Sequence, residues 1–125
     1  MPKKKVPQPA WLTEPEKDNY PAAKSYLNLI YSPRMSERLV AGLRRAPNAR
    51  FKAKDIFRAS GLSLLGVSNY HIEKDQKKIK GGVALSPILL VRDRNNGKVI
   101  VADGYHRLCA VYTYDEDAWI PCKIA

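Results

Sequence analysis

Five consecutive residues near the end of the chain, Asp103-Gly104-Tyr105-His106-Arg107, combine the side chains that handle phosphate. The apolar run before them is typical of a strand and the amphipathic run after them of a helix, so they fall at a strand-to-helix turn. The first amide groups of a helix have no partner within it, and the helix dipole also favours an anion there. Glycine lets the backbone approach closely, arginine grips phosphate oxygens as a fork, and histidine donates or carries a proton. The spacing therefore predicts a phosphate-binding site without naming its ligand.

Each side chain of this turn also has an interpretation without a ligand. Asp103 suits the N-cap of the helix, where aspartate contributes roughly 0.5–2 kcal/mol. Beside a phosphate it would instead bind a bridging Mg²⁺ ion or orient His106. Arg107 could form a salt bridge with Asp103 or with the acidic residues 115–117, and His106 could be a polar surface residue. Tyr105 could stack on a base or pack against the rest of the protein. As a functional set we assign Asp103, His106 and Arg107 to catalysis, with Asp103 also a candidate Mg²⁺ ligand, and Gly104, Tyr105, His106 and Arg107 to phosphate or nucleotide binding.

Residues elsewhere in the chain extend this hypothesis. Lys54, Lys80 and Ser86 are candidates for the far side of the phosphate pocket. Glu73 and Asp75 could supply a second carboxylate for a metal, although a solvated helix face also explains them.

The two cysteines are too few for a disulfide framework. Cys109 falls on the predicted helix and Cys122 on a predicted strand, both among apolar neighbours, which indicates buried free thiols in a reducing compartment. The alternative is a zinc site made from His71, His106, Cys109 and Cys122, but no CxxC or HxxxH spacing supports it.

The elements that position the turn are predicted from hydrophobic periodicity and from cap and turn residues. The first half is predicted to contain helices over 21–30, from Ser32-Pro33 to before Pro47 and over 52–60, and then a short strand over 63–67. The second half is predicted to contain a helix over 69–80 and strands over 87–92 and 98–102, which a turn at Asn95-Asn96-Gly97 joins. A helix over 104–114 and a strand over 119–124 complete the order. This order predicts an α+β domain with an N-terminal helical hairpin.

The composition indicates one domain with a modest core, because the chain has 125 residues of which 45% are hydrophobic. Residues 1–20 are predicted to be a flexible, basic, proline-rich tail, which could dock on the domain or on a protein partner through Trp11 and Leu12. Residues 21–125 are predicted to form the domain.

The charge and the apolar runs restrict the partners. A net charge of +10 favours nucleic acid, nucleotide or an acidic protein, although solvated lysines also explain part of it. No apolar run approaches the roughly 18 residues of a membrane span, and no secretory signal is present. We therefore expect a cytoplasmic location and no membrane partner.

The segments around the turn follow one another in a recognisable order. They are Pro87-Ile88-Leu89-Leu90, then Asp103 to Arg107 with Ala110, then Ile120-Pro121-Cys122-Lys123-Ile124. This order resembles the ParB/sulfiredoxin superfamily, whose preceding helix corresponds to residues 69–80, so that the resemblance covers roughly the C-terminal half. It implies a ParB/sulfiredoxin-like small mixed sheet with helices, and a pocket where a helix N-terminus and Arg107 hold the phosphates of ATP or CTP.

Departures from the family pattern narrow the implied activity. Sulfiredoxins carry their reactive cysteine where this chain has Tyr105, so reduction of a sulfinic acid is not expected. Partition proteins carry two arginines in the motif, the first of which is His106 here, and they continue into a helix-turn-helix that this sequence does not show after its last strand.

Two functional hypotheses follow. The first is a domain that binds nucleotide or nucleic-acid phosphate at the turn, with Mg²⁺ as a possible cofactor, and that hydrolyses a phosphoryl bond as an NTPase or nuclease if it is an enzyme. The alternative is a non-catalytic accessory module, of bacterial, plasmid or phage origin, that binds nucleic acid or a protein through its basic face.

Overall fold

A computed structural model describes residues 8–64 and 70–125. Within these residues the fold is α+β, with five helices and one four-stranded mixed sheet. The elements are α1 (Asn19–Leu27), α2 (Pro33–Arg45), β1 (Ala49–Lys52), α3 (Ala53–Ser60), α4 (Tyr70–Lys80), β2 (Ile88–Asp93), β3 (Lys98–Asp103), α5 (Tyr105–Tyr114) and β4 (Trp119–Ile124). Most of the strand predicted over 63–67, and the first residue of the helix predicted over 69–80, lie outside the described residues.

The sheet has the order β1-β4-β2-β3 and places β2 in its interior. β2 is antiparallel to β3 and parallel to β4, and β1 adds to the far side of β4 in antiparallel fashion. A parallel pair needs a crossover connection, and α5 lies in the connection that brings the chain from β3 back to β4. This topology fixes the N-terminus of α5 at the end of β3.

Helices cover both faces of the sheet, which explains why β2 is a continuous apolar run rather than an alternating one. Ile88 and Leu90 pack into a core with α3, α4 and α5. Leu89 and Val91 point the other way, into a second core with α1 and α2. The two helices α1 and α2 also pack against each other, as the predicted helical hairpin requires.

The local signals at the ends of elements are confirmed. Ser32 caps α2 by accepting a hydrogen bond from the Met35 amide at 3.2 Å. Gly61 ends α3 with a φ of 65°, and Gly97 takes a φ of 63° in the β2–β3 turn. These residues act through the backbone within a few positions, so the sequence alone is enough to place them.

The structure corrects the prediction around β1. Residues 49–52 form a strand that was not predicted, and the helix predicted from Lys52 begins at Ala53. β1 has only four residues, and none of them is fully buried. Its partner β4 lies about 70 positions away, with Ala49 opposite Cys122. No local periodicity signals a strand that depends on such a distant pairing.

The N-terminal segment docks on the domain, which is one of the alternatives that Trp11 and Leu12 indicated for the predicted tail. From Gln8 onward it contacts the domain, and α1 already begins at Asn19. Leu85 donates its amide to the Ala10 carbonyl and accepts from the Leu12 amide, both at 2.8 Å, in a short parallel bridge beside Trp11. The docked segment forms part of the wall of the site described next.

Candidate functional site

The predicted strand-to-helix turn is confirmed, with Gly104 at its centre. β3 ends at Asp103, Gly104 takes a φ of 109°, and α5 begins at Tyr105. A Cβ atom at position 104 would lie 2.8 Å from Nη2 of Arg107 and 2.9 Å from Cγ1 of Ile88. Both the backbone conformation and the space therefore require glycine.

Gly104, rather than Asp103, is the N-cap of α5, so the predicted capping role of Asp103 is wrong. The carboxylate instead accepts a hydrogen bond from Nη2 of Arg107 at 2.8 Å. The Arg107 and Asp103 side chains are only 18% and 17% exposed. Residue 103 still belongs to the strand, which turns its side chain toward the guanidinium instead of the helix amides.

Arg107 is held at one end of its guanidinium. Nη2 makes the bond to Asp103 and also lies 3.4 Å from the Pro87 carbonyl oxygen. Its Nε is buried and has no hydrogen-bond partner among the described residues. A buried donor without an acceptor costs roughly 1–3 kcal/mol, so the ion pair with Asp103 leaves the guanidinium incompletely satisfied.

A cavity of about 230 Å³ opens beside this turn. α4 packs against α5 and forms one wall, and the docked N-terminal segment forms another. The polar side chains around the cavity are Glu16, His71, Lys74, Asp75, Lys78, Ser86, Asp103, Tyr105, His106 and Arg107. The structure thus brings the whole predicted turn to one open cavity.

The fixed charges around the cavity balance. Its cations are Lys74, Lys78 and Arg107, and its carboxylates are Glu16, Asp75 and Asp103. Burial raises the pKa of Asp75, while the nearby Lys78 and Arg107 oppose that rise. Asp75 is therefore a half-buried residue of the site, and its alternative interpretation as part of a solvated helix face is wrong. Glu73 is exposed, as that interpretation expects.

His106 lies against a second imidazole that the phosphate hypothesis did not include. The ring centroids of His71 and His106 are 4.8 Å apart. Burial lowers the pKa of His106, the charges of His71 and Arg107 lower it further, and Asp75 opposes them. A spacing of 35 residues between the two histidines gives no sequence signal, because only the packing of α4 on α5 brings them together.

The lowered pKa of His106 predicts a pH effect on stability. The unfolded chain takes up this proton near pH 6.5, whereas the folded protein takes it up at lower pH. Stability should therefore fall as the pH drops from about 7.5 to 6. Urea unfolding of the protein and of His106→Asn across this range tests this: the variant should lose less stability on acidification, and equal losses would contradict the assignment.

Tyr105 connects the turn to the residues after α3. Its hydroxyl donates to the Ser63 carbonyl. Tyr105 also lines a second depression of about 460 Å³, together with Tyr26 and Leu62. The two depressions meet at the turn, so a ligand with its phosphate in the first could extend into the second.

Two predicted phosphate ligands are not brought to the cavity. Lys54 pairs with Asp117 at 2.7 Å on the exposed start of α3, and this contact raises its pKa. Lys80 is the exposed last residue of α4 and does not line the cavity. The positions of both lysines depend on three-dimensional packing, which no local sequence pattern indicates.

Ser86 does line the cavity, but its hydroxyl is engaged by protein groups. It is 3% exposed, accepts from the Glu16 amide at 3.0 Å and donates to Oδ1 of Asn19. Ser86 therefore fixes the docked N-terminal segment rather than offering a free hydroxyl to a ligand.

Replacing Ser86 with alanine should loosen that segment. The variant leaves the Glu16 amide without its acceptor, and we expect a loss of roughly 1–3 kcal/mol in the free energy of unfolding. Limited proteolysis should cut the segment before α1 faster than in the parent protein. Unchanged stability and unchanged cutting would show that the hydroxyl does not hold the segment.

The predicted free thiols are confirmed, since both cysteines are buried and unbridged. Burial raises the pKa of Cys122 to about 12, which suppresses its reactivity. Cys109 and Cys122 belong to the core beneath α5, whereas His71 and His106 face the cavity, so the structure does not assemble the alternative zinc site.

The residues present do not form a metal cage. In the two described ranges, no group of three or more His, Cys, Asp or Glu side chains could hold a metal ion. A Mg²⁺ ligand role for Asp103 would also compete with its bond to Arg107.

Comparison with protein-family models, curated proteins and solved structures found no match for this chain. In the part of the chain that the structure describes, no helix is both long and apolar enough to cross a membrane.

Proposed function

We propose that the cavity at the N-terminus of α5 binds the phosphate group of a nucleotide or nucleic acid, in the manner of a ParB/sulfiredoxin-like domain. One observation carries the proposal: Arg107, His106 and the first turn of α5 all reach the same open cavity. The first backbone hydrogen bond of the helix runs from Leu108 to Gly104 at 2.9 Å. The amides of residues 105–107 precede it and have no acceptor within the helix.

The size of the cavity supports a phosphate group rather than a whole ligand. A volume of about 230 Å³ is below the roughly 300–1,000 Å³ of sites that enclose drug-sized molecules. The remainder of the ligand would lie outside the cavity, and the depression next to Tyr105 and Tyr26 offers it a surface. A nucleotide could then contact the protein on both sides of the turn.

The pair with Asp103 is compatible with phosphate binding. A guanidinium has five N–H donors; Nη2 donates to Asp103 and to the Pro87 carbonyl and Nε is buried, which leaves the two donors of Nη1 for a ligand. Asp103 holds the guanidinium in position, and an incoming phosphate would meet donors that are already oriented. The cost is competition, because the carboxylate repels the phosphate.

For hydrolysis, the residue with the required property is His106. Its lowered pKa keeps the imidazole neutral near pH 7 before a ligand binds, so it can accept a proton and then return it as a general acid. Arg107 would stabilise the charge on the phosphoryl group. If a nucleotide or nuclease substrate arrives with Mg²⁺, the ion supplies charge neutralisation on the phosphate oxygens.

A non-catalytic module is the second candidate, and the balanced charges of the cavity favour it. Asp103 is occupied by Arg107 and is therefore not free to activate water. The three cations and three carboxylates of the cavity also leave no surplus of positive charge to stabilise a phosphoryl group during cleavage. The same residues would then bind a phosphate without cleaving a bond.

A thermal-shift panel tests the proposal. The probes are inorganic phosphate, ATP, CTP, GTP and a short DNA, each with Mg²⁺ and with EDTA. A ligand present at 100 times its Kd should add about 2.7 kcal/mol of stability. Release of phosphate or cleavage of the DNA identifies the enzyme, and stabilisation without turnover identifies the module. If no phosphate compound stabilises the protein, the proposal is wrong.

A further inference from the structure

The contact between His71 and His106 joins the first turns of two helices. His71 is the second residue of α4 and His106 the second residue of α5. With their rings 4.8 Å apart, one anion in the cavity can reach both imidazoles. The start of a helix favours an anion and disfavours an imidazolium. Protonation of an imidazole at this place is therefore more favourable when an anion binds beside it.

The fixed charges of the cavity do not supply the compensation that a dianion needs. Three cations and three carboxylates cancel, as described above. A terminal phosphate carries about −1.5 to −2 charges near pH 7. Of the side chains that line the cavity, the imidazole of His106 can supply this compensation, because a histidine can gain positive charge between pH 5 and 8.

The groups that face His106 set the balance of this proton. His71 and Asp75 of α4 and Tyr105 and Arg107 of α5 lie next to His106 or act on its charge. The other charged and titratable side chains that line the same cavity are Lys74, Lys78, Glu16 and Asp103. The carboxylate of Asp75 favours the imidazolium, whereas burial and Arg107 oppose it. A bound dianion would add a second favourable charge and shift this balance toward the protonated ring.

We propose that His71 and His106 together bind a terminal phosphate, and that His106 takes up one proton from solvent as it enters. The proposal rests on the phosphate site proposed above and adds a residue, His71, and a ligand class to it. No covalent bond forms or breaks: a neutral imidazole nitrogen gains a proton and donates it as a hydrogen bond to a phosphate oxygen. The shared chemistry is a phosphate monoester, at the end of a nucleotide or at the 5′ end of a nucleic acid.

The number of donors favours a terminal phosphate over an internal diester. Two imidazoles, the guanidinium and the first amides of α5 meet at the cavity. A diester offers two non-bridging oxygens, whereas a terminal phosphate offers three. The terminal phosphate also carries an additional negative charge, which stabilises the protonated imidazole. Specificity then comes from leaving donors unpaired when the third oxygen is missing.

Binding of sulfate and of matched oligonucleotides tests this inference. Sulfate is a dianion across pH 5.5–8.5, so any pH dependence of its binding belongs to the protein. Linkage of one proton predicts that sulfate affinity falls by up to about tenfold per pH unit above the pKa of His106 in the free protein. Calorimetry in two buffers of different ionisation enthalpy should report uptake of about one proton. A 5′-phosphorylated oligonucleotide should bind at least tenfold more tightly than its 5′-hydroxyl twin, and ATP gives the nucleotide arm.

Two variants separate His71 from a packing role. His71→Asn should lose about tenfold in sulfate affinity at pH 6 while remaining folded by circular dichroism, and His106→Asn should lose the pH dependence. His71→Lys supplies a permanent cation and should keep the affinity but flatten its pH dependence. If the parent protein binds sulfate with no pH dependence, or if His71→Asn binds like the parent, the inference is wrong and the phosphate site stands. If the folded parent binds no phosphate or sulfate at any pH, both fail.

Discussion

Replacing Gly104 with alanine should lower the free energy of unfolding more than any other single substitution at the turn. Alanine at a φ of 109° costs roughly 1–3 kcal/mol in backbone strain. The new Cβ would also approach Ile88 and Arg107 closer than 3.0 Å, which adds roughly 1–3 kcal/mol of overpacking. We expect a total loss of about 2–6 kcal/mol, measured by urea unfolding.

Gly82 provides a matched control for this prediction. It follows α4 with a φ of 72°, and a Cβ there would meet nothing within 4 Å. Gly82→Ala therefore carries the strain without the close contacts, and it should cost about 1–2 kcal/mol. Equal losses in the two variants would show that the close approach of Ile88 and Arg107 to the turn has no energetic weight.

Replacing Arg107 with alanine should reduce affinity for inorganic phosphate and for ATP by about 10- to 100-fold. Hydrogen bonds to a charged group contribute roughly 1.5–3 kcal/mol, which corresponds to this range. Arg94→Ala is the control, because it removes the same charge from the exposed β2–β3 turn. Titration calorimetry on all three proteins gives the comparison.

The variant Asp103→Asn distinguishes a phosphate-binding role of Arg107 from a purely structural one. If the pair is only structural, Asp103→Asn should weaken the fold and leave phosphate binding unaltered. If Arg107 binds phosphate, removal of the competing carboxylate should raise phosphate affinity severalfold, because a charge repelling the ligand is gone. Phosphate affinity that is unchanged in the folded Arg107→Ala variant would contradict the proposed role.

The parts of the fold that the sequence predicts are those encoded locally. The β2–β3 hairpin depends on its turn residues, and the start of α5 on Gly104 next to an apolar strand. The cavity at that turn was likewise predictable, because the end of β3 and the first turn of α5 are contiguous in sequence. For these elements a few neighbouring residues determine the backbone path.

The parts that the sequence does not predict depend on distant packing. The pairing of β1 with β4, the path of residues 8–18 on the domain and the contact of His71 with His106 each join segments far apart in the chain. The N-cap alternative for Asp103 is wrong for a related reason: the strand sets its side-chain direction, the N-cap position passes to Gly104, and the alternative pairing with Arg107 is the one observed. The neutral balance of the cavity also requires Glu16 and α4 to be in place.

The most direct measurement of the central claim is an amide NMR titration of the ¹⁵N-labelled protein with inorganic phosphate and with ATP. If phosphate binds at the start of α5, we expect saturable chemical-shift changes that are largest at the amides of Tyr105, His106 and Arg107 and smaller at the amide of His71. Saturation at these amides in the parent protein, and its loss in Arg107→Ala, would place the phosphate at the start of α5. Shifts confined to the lysine-rich surface, or no saturable shift at residues 105–107, would contradict the account.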